Sequence, residues 1–177
     1  SQIRFENDLA SALLRSQANA ARYLLLEDES LLIGQRNIPH PLYQAMQQSP
    51  LLLLQVPQAE RIEVILRDYI VDLYSEAQAA DAEYGFARFS NMLQQAMARI
   101  AKRLGGVLYS ELATMLNAAL AVQQHSGDIN LHRLWIARLL SDYYDPMYQY
   151  QLNKRGQPVL MQGSASELTQ WWQQQQG

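Results

Sequence analysis

The chain has 177 residues, a formal net charge of −3, 49% hydrophobic residues and no cysteine. That composition is that of a folded globular chain with a sizeable core, and it excludes disulfides, thiolate metal sites and a cysteine nucleophile from these residues. No apolar run approaches the roughly 20 residues needed to cross a bilayer. Ile3 to Arg15 is too broken by charge to read as a signal peptide, and the lack of cysteine fits an expected cytoplasmic location. In chain order, residues 4–17 read as a helix with Leu9, Leu13 and Leu14 near one face. Residues 22–27 (RYLLLE) read as a short, uniformly apolar strand, the pattern of a strand covered on both faces in a parallel sheet. Gly34 punctuates the chain after it. Pro41 falls in the first turn of a short helix, and Pro50 precedes a second buried strand over 51–56. Two such strands joined by a helix make a right-handed βαβ unit.

Beyond Pro57 the period changes to helical. Ile62, Ile65, Leu66, Tyr69, Ile70 and Leu73 follow the i, i+3, i+4, i+7 rule. Phe86, Phe89, Met92, Leu93, Met97, Ile100 and Leu104 form a longer stripe that stops at Gly105 and Gly106. Leu108 to Leu120 make a third helix, ended near HSGD. Leu131 to Tyr143 make a fourth. Asp145-Pro146 predicts a break and restart, with Asp145 as N-cap and Pro146 at the first helical position. The restarted helix runs to about Arg155. PVLMQ predicts a short strand, and Ser164 with Glu167 has capping-box spacing for a last helix. No internal repeat is evident. The expected fold is α/β and mostly helical: a P-loop-type parallel sheet remnant carrying a large helical insertion.

Three carboxylates, Glu27, Asp28 and Glu29, come directly after the first apolar run. In parallel α/β sheets ligands gather at the carboxyl ends of strands, and acidic residues there resemble the site that positions Mg²⁺ near bound phosphate. Capping of the next segment, or pairing with surface arginines, would also explain them. The Gly-x-x-x-x-Gly-Lys-Ser/Thr motif that wraps phosphate in backbone N–H groups is absent. Either the fold is of another kind or the chain begins after the phosphate loop. Charge is uneven: residues 1–98 hold 7 basic and 12 acidic groups, and residues 99–177 hold 7 basic and 5 acidic. Any polyanion contact is therefore expected in the second half. His40, His125 and His132 lack ligand spacing, so no metal site is assigned through His or Cys. Trp135, Trp171 and Trp172 read as core and terminal packing residues.

The segments LLLEDESLLIG, RIEVILRDY, AKRLG and YYDPMYQYQL, in this order, resemble the C-terminal domain of the tRNA 2-selenouridine synthase family. FENDLA matches a family segment downstream of its phosphate loop. The resemblance implies a rhodanese-like first domain with a catalytic cysteine, then a P-loop domain. It implies exchange of sulfur for selenium in wobble 2-thiouridine of tRNA. Selenophosphate is the implied donor, with an S-geranylated intermediate made from geranyl diphosphate and possible use of Mg²⁺. The rhodanese-like domain, its cysteine and the Walker A segment are missing here. Residues 1–177 are thus expected to be one domain, the C-terminal part of a larger P-loop domain. The parent family is enzymatic and this chain alone is expected to be inactive. On this reading Glu27, Asp28, Glu29 and Arg61 associate with phosphate or Mg²⁺, Arg61 as a bidentate donor. Arg99, Lys102 and Arg103 can share a helix face. With Arg133, Arg138, Lys154 and Arg155 they could form a tRNA backbone track. Tyr143, Tyr144 and Tyr148 could stack on an unpaired base or pack in the bundle. Expected partners are tRNA and the missing N-terminal part, with self-association through an exposed sheet edge. The alternative is a non-catalytic helical interaction module on a P-loop remnant.

Overall fold

Helical periodicity dominates the middle of the chain, and the structure obeys it. The structure, a computed structural model, describes residues 1–18, 23–28 and 30–175. Contacts divide the chain into two compact units, Ser1–Gln55 with Arg155–Gly177, and Val56–Lys154.

In the second unit, Pro57 (φ −53°, ψ 141°) opens α3, Gln58–Leu66. A π-helical segment, Arg67–Asp72, leads directly into α4, Leu73–Ala80. Helix α5, Gly85–Leu104, and helix α6, Gly106–Ser126, meet at Gly105. Helix α7, His132–Leu139, passes through a second π-helical segment, Leu140–Tyr144, into α8, Asp145–Arg155. The apolar stripes converge on one core: Leu66, Ile70, Phe89, Leu93, Met97, Leu112, Leu116, Ala119, Leu120, Trp135, Ile136 and Leu140 are all buried. Phe89 sits at its centre, fully buried, with Tyr74 and Phe86 ring centroids at 5.4 and 5.9 Å. Gly85 admits a close helix approach. A Cβ there would lie 2.8 Å from the Gln78 Cα and 2.9 Å from the Ala77 carbonyl oxygen.

The expected restart at Asp145 does not occur. Asp145 is itself helical (φ −65°, ψ −46°), and its side chain pairs with Arg61 rather than capping. Pro146 has no N–H and its ring crowds the carbonyl of the preceding turn. Widening that turn into the π-helical stretch before it accommodates the proline without breaking the helix. Nothing in the local sequence explains the first π-helical segment.

The first unit holds α1, Gln2–Ala18, a two-stranded antiparallel hairpin (β1, Leu32–Ile33; β2, Arg36–Asn37), α2, His40–Gln48, and β3, Leu51–Leu54. It is completed by β4, Val159–Gly163, and α9, Ala165–Gln175. Gly34, at φ 59°, supplies the positive φ that a two-residue hairpin turn needs at its first central position. The Gln2 side-chain amide exchanges two hydrogen bonds with the Asn37 backbone, tying α1 to the hairpin. Strands β3 and β4 pair in parallel, from Leu51 opposite Val159 to Leu54 opposite Gly163. The capping box forms as its spacing predicts: Glu167 accepts hydrogen bonds from the Ser164 N–H and hydroxyl, both at 2.7 Å.

The expected strand over 22–27 is not formed. Arg22 lies outside the described residues, and Tyr23 to Asp28 are irregular and exposed. A strand needs a ladder partner for its backbone, and β3 takes β4 instead. The βαβ unit expected from 22–27 to 51–56 is therefore absent. The observed parallel pair spans a connection containing every helix of the second unit. The second strand is also shorter than expected and only half covered, with Leu54 52% exposed. The chain is α/β and mostly helical, with a small parallel sheet. Among the described residues no helix is long and apolar enough to cross a membrane.

Candidate functional site

The second unit contains a cavity of about 440 Å³ between α3, α5, α7 and α8, within the range of roughly 300–1,000 Å³ typical of small-molecule sites. Its interior wall is apolar, made by the buried Leu93, Met97, Trp135 and Ile136. Arg61, Tyr69 and Tyr148 supply its polar, more open side; the two tyrosines are each 58% exposed. Both π-helical segments contribute to the lining, through Tyr69 in the first and Leu140 and Tyr144 in the second. A π-helical turn inserts one extra residue and re-aims the side chains after it, which is why such turns recur at functional sites.

Arg61 enters from the first turn of α3. Its guanidinium donates to the Asp145 carboxylate at 2.5 Å, across 84 residues of sequence. Both side chains keep solvent contact, so the pair can exchange partners. Tyr144 stacks on Tyr148 (centroids 6.1 Å, planes 22° apart) and meets Tyr143 edge-on. Burial pushes the Tyr144 hydroxyl above its ordinary pKa. The neighbouring Tyr143, Tyr148 and Tyr69 push the same way, and the Arg103 charge opposes them. Tyr144 therefore stays a neutral donor. Behind the wall, the Trp135 indole N–H donates to His132 Nδ1 at 2.9 Å, and His132 Nε2 lies 2.9 Å from the Gln123 amide oxygen. That geometry requires a neutral His132 with its proton on Nε2. Burial lowers its pKa to about 4, consistent with that state.

The residues singled out by sequence divide between the two units. Glu27 and Asp28 belong to the first, Arg61 to the second. Glu29 lies outside the described residues. Glu27 and Asp28 sit in exposed irregular chain. Asp28 accepts from Arg155, whose side chain is only 8% exposed and also donates to the Met46 carbonyl. Among the described residues Arg155 Nε is buried without a partner. Pairing with an arginine, one of the explanations open for Asp28 from sequence, is thus realised. Among the described residues no three His, Cys, Asp or Glu groups converge to hold a metal.

Of the basic residues, Arg133 is bound bidentately by Glu63, whose carboxyl it holds below the usual range. Arg138 is shared between Glu111 and Asp142. By contrast, Arg99, Lys102 and Arg103, at the end of α5, form no ion pair among the described residues. The structure therefore separates one available basic cluster from arginines already neutralised. Sequence reasoning missed the cavity and the Arg61–Asp145 pair. Its one readable signal was Tyr69, set on an otherwise apolar stripe.

Fold and cavity together define an α/β protein whose helical unit offers an apolar pocket with an arginine at its open side. The chain belongs to the tRNA 2-selenouridine synthase family: the family model described as the tRNA 2-selenouridine synthase AAA domain matches residues 1–177. It is 43% identical over 171 residues to the tRNA 2-selenouridine synthase of Shewanella piezotolerans, covering 96% of this chain and 47% of that protein. It is 42% identical over 174 residues to that of Pseudomonas fluorescens, covering 98% and 47%. It is 41% identical over 177 residues to that of Ectopseudomonas mendocina, covering 99% and 48%. The chain thus spans about half the length of these relatives. No solved structure matches it.

Proposed function

We propose that this chain is the part of a tRNA 2-selenouridine synthase that binds tRNA and an isoprenoid diphosphate. The observation that carries this reading is the cavity: an apolar interior with a guanidinium at its open side suits a hydrocarbon tail ending in an anion. Geranyl diphosphate fits that description. Its ten-carbon tail would lie against Leu93, Trp135 and Ile136, and its diphosphate would take Arg61 from Asp145. In the whole enzyme, the sulfur of wobble 2-thiouridine would attack C1 of the geranyl group. The C1–O electron pair would leave with diphosphate, and Arg61 would stabilise that developing charge. The selenium of selenophosphate would then attack C2, geranylthiol would leave with the C2–S electron pair, and water would cleave the Se–P bond to release phosphate.

Arg99, Lys102 and Arg103 would contact the tRNA backbone. The Arg103 charge acts on Tyr144, which supports placing the RNA near the tyrosines. Tyr148, the more exposed ring of the stacked pair, is the better candidate for meeting an unpaired base. Titration calorimetry of the 177-residue chain with geranyl diphosphate tests the small-molecule half. Saturable binding is expected, weakened roughly tenfold or more in Arg61→Gln by loss of a charge-assisted contact. No saturable binding, or an unchanged affinity in Arg61→Gln, would overturn it. For tRNA, protection of residues 143–150 from proteolysis is expected, and Arg103→Glu should weaken it. Absence of both effects would favour the interaction-module reading.

A further inference from the structure

A second, smaller cavity of about 230 Å³ lies against α5 and α6, lined by Gln94, Met97, Tyr109, Ala113, Leu116 and Asn117. Met97 alone lines both this cavity and the larger one. It is 5% exposed, so it is interior material that borders both spaces. Methionine is unbranched and has three rotatable bonds, so such a side chain can be moved or trimmed without rebuilding the helix that carries it. The second space, about 230 Å³, opens to solvent on the side of Gln94 and Asn117, both exposed. Its apolar walls there are Ala113 and Leu116, and a hydrogen bond of 2.8 Å from Gln94 to Asn117 borders it.

Building on the proposed isoprenoid site, we infer that Met97 is its chain-length stop. With the anionic head held at Arg61, the tail points toward the buried wall that includes Met97. The side chain ends the space available to the tail and keeps the second cavity out of reach. Shortening Met97 joins the two spaces and admits a longer chain; enlarging it shortens the pocket. Position 97 therefore sets which isoprenoid diphosphate is preferred, while Arg61 sets whether any is bound.

Competition calorimetry with geranyl (C10) and farnesyl (C15) diphosphates reads this directly. The unaltered chain is expected to bind the C10 compound more tightly. Met97→Ala should move the C15-to-C10 affinity ratio at least tenfold toward C15. Adding Ala113→Leu, which fills the second cavity from α6, should reverse most of that gain. Ala113→Leu alone should leave C10 binding unchanged, because Met97 already blocks the way. Should Met97→Ala not fold, Met97→Phe keeps the test open: it should penalise the C10 compound at least tenfold relative to the C5 dimethylallyl diphosphate. An unmoved ratio in Met97→Ala or Met97→Phe, with C10 binding intact in the unaltered chain, overturns the role of Met97. So does a gain that Ala113→Leu fails to reverse. Failure of the unaltered chain to bind any of the three compounds overturns the isoprenoid site itself, and Met97 with it.

Discussion

The two units bury their apolar residues very differently. The second unit gathers twelve buried hydrophobic side chains into one cluster drawn from α3, α5, α6, α7 and both π-helical segments. In the first unit, Ile38 is the buried hydrophobic side chain among the described residues, while Leu24, Leu25, Leu32, Leu54 and Leu160 are each more than 40% exposed. The contrast is geometric. Amphipathic helices can close a core among themselves, each hiding one stripe. A two-stranded parallel sheet with one helix against it leaves strand edges and faces open. The first unit is held instead by specific polar contacts: the Gln2–Asn37 exchange, the Ser164–Glu167 box and the Arg155 hub. The cavity with its exchangeable ion pair belongs to the well-packed unit, which suits a site that needs a rigid frame.

The sharpest way to break this comparison is to remove one side chain from each unit. Phe89→Ala should cost about 3–5 kcal/mol, the usual loss for a fully buried aromatic, and should visibly lower the denaturant midpoint. Leu54→Ala, already half exposed, should cost under about 1.5 kcal/mol on the same measurement, because little area is lost from the interior. Equal effects would mean that the first unit is packed as tightly as the second.

Next in size is a pH effect confined to the second unit. His132 is neutral when folded, with its pKa lowered to about 4 by burial, from an ordinary 6.5. The unfolded chain takes up this proton below about pH 6.5 and the folded chain does not. Its contribution is therefore fully present above pH 6.5, declines as pH falls, and is lost by about pH 4. The decline amounts to up to about 3 kcal/mol. Denaturant titrations from pH 7 to pH 4 should show that slope in residues 56–154. His132→Gln should flatten it, even if it lowers stability at pH 7.

A smaller effect is expected in the first unit. Asp28→Asn leaves the buried Arg155 guanidinium without its carboxylate, a loss of about 1–3 kcal/mol for a charge-assisted contact. Hydrogen exchange should rise in α2 and around Tyr23–Asp28, with α5 and α6 unaffected. The smallest expected effect concerns association. The outer edges of β3 and β4 carry no strand partner among the described residues, so weak, concentration-dependent self-association is expected by light scattering, reduced in Leu160→Lys. A strictly monomeric profile at high concentration would refute it.

Local patterns were enough for most of the second unit. The stripes through Phe89, Leu93 and Met97 and through Leu112, Leu116 and Leu120 reach the core because 3.6-residue periodicity places them on one face whatever the surroundings. Ser164 and Glu167 form their box for the same reason: both partners lie within one turn. The strand at 22–27 fails because strands are completed only by distant partners, and an apolar run says nothing about which partner is taken. The restart at Asp145 fails because a proline after a helical stretch admits two answers, a break or a widened turn, and packing chooses between them.

Sequence alone determined the helical stripes, the Ser164–Glu167 box, the absence of a phosphate-wrapping loop from these residues and the likeness to one family, since each is written in neighbouring residues. Only the tertiary structure decided that Arg61 meets Asp145, that Asp28 meets Arg155, and that Met97 borders two cavities. Those pairings join residues far apart in the chain, and their meeting depends on how completed helices and strands pack.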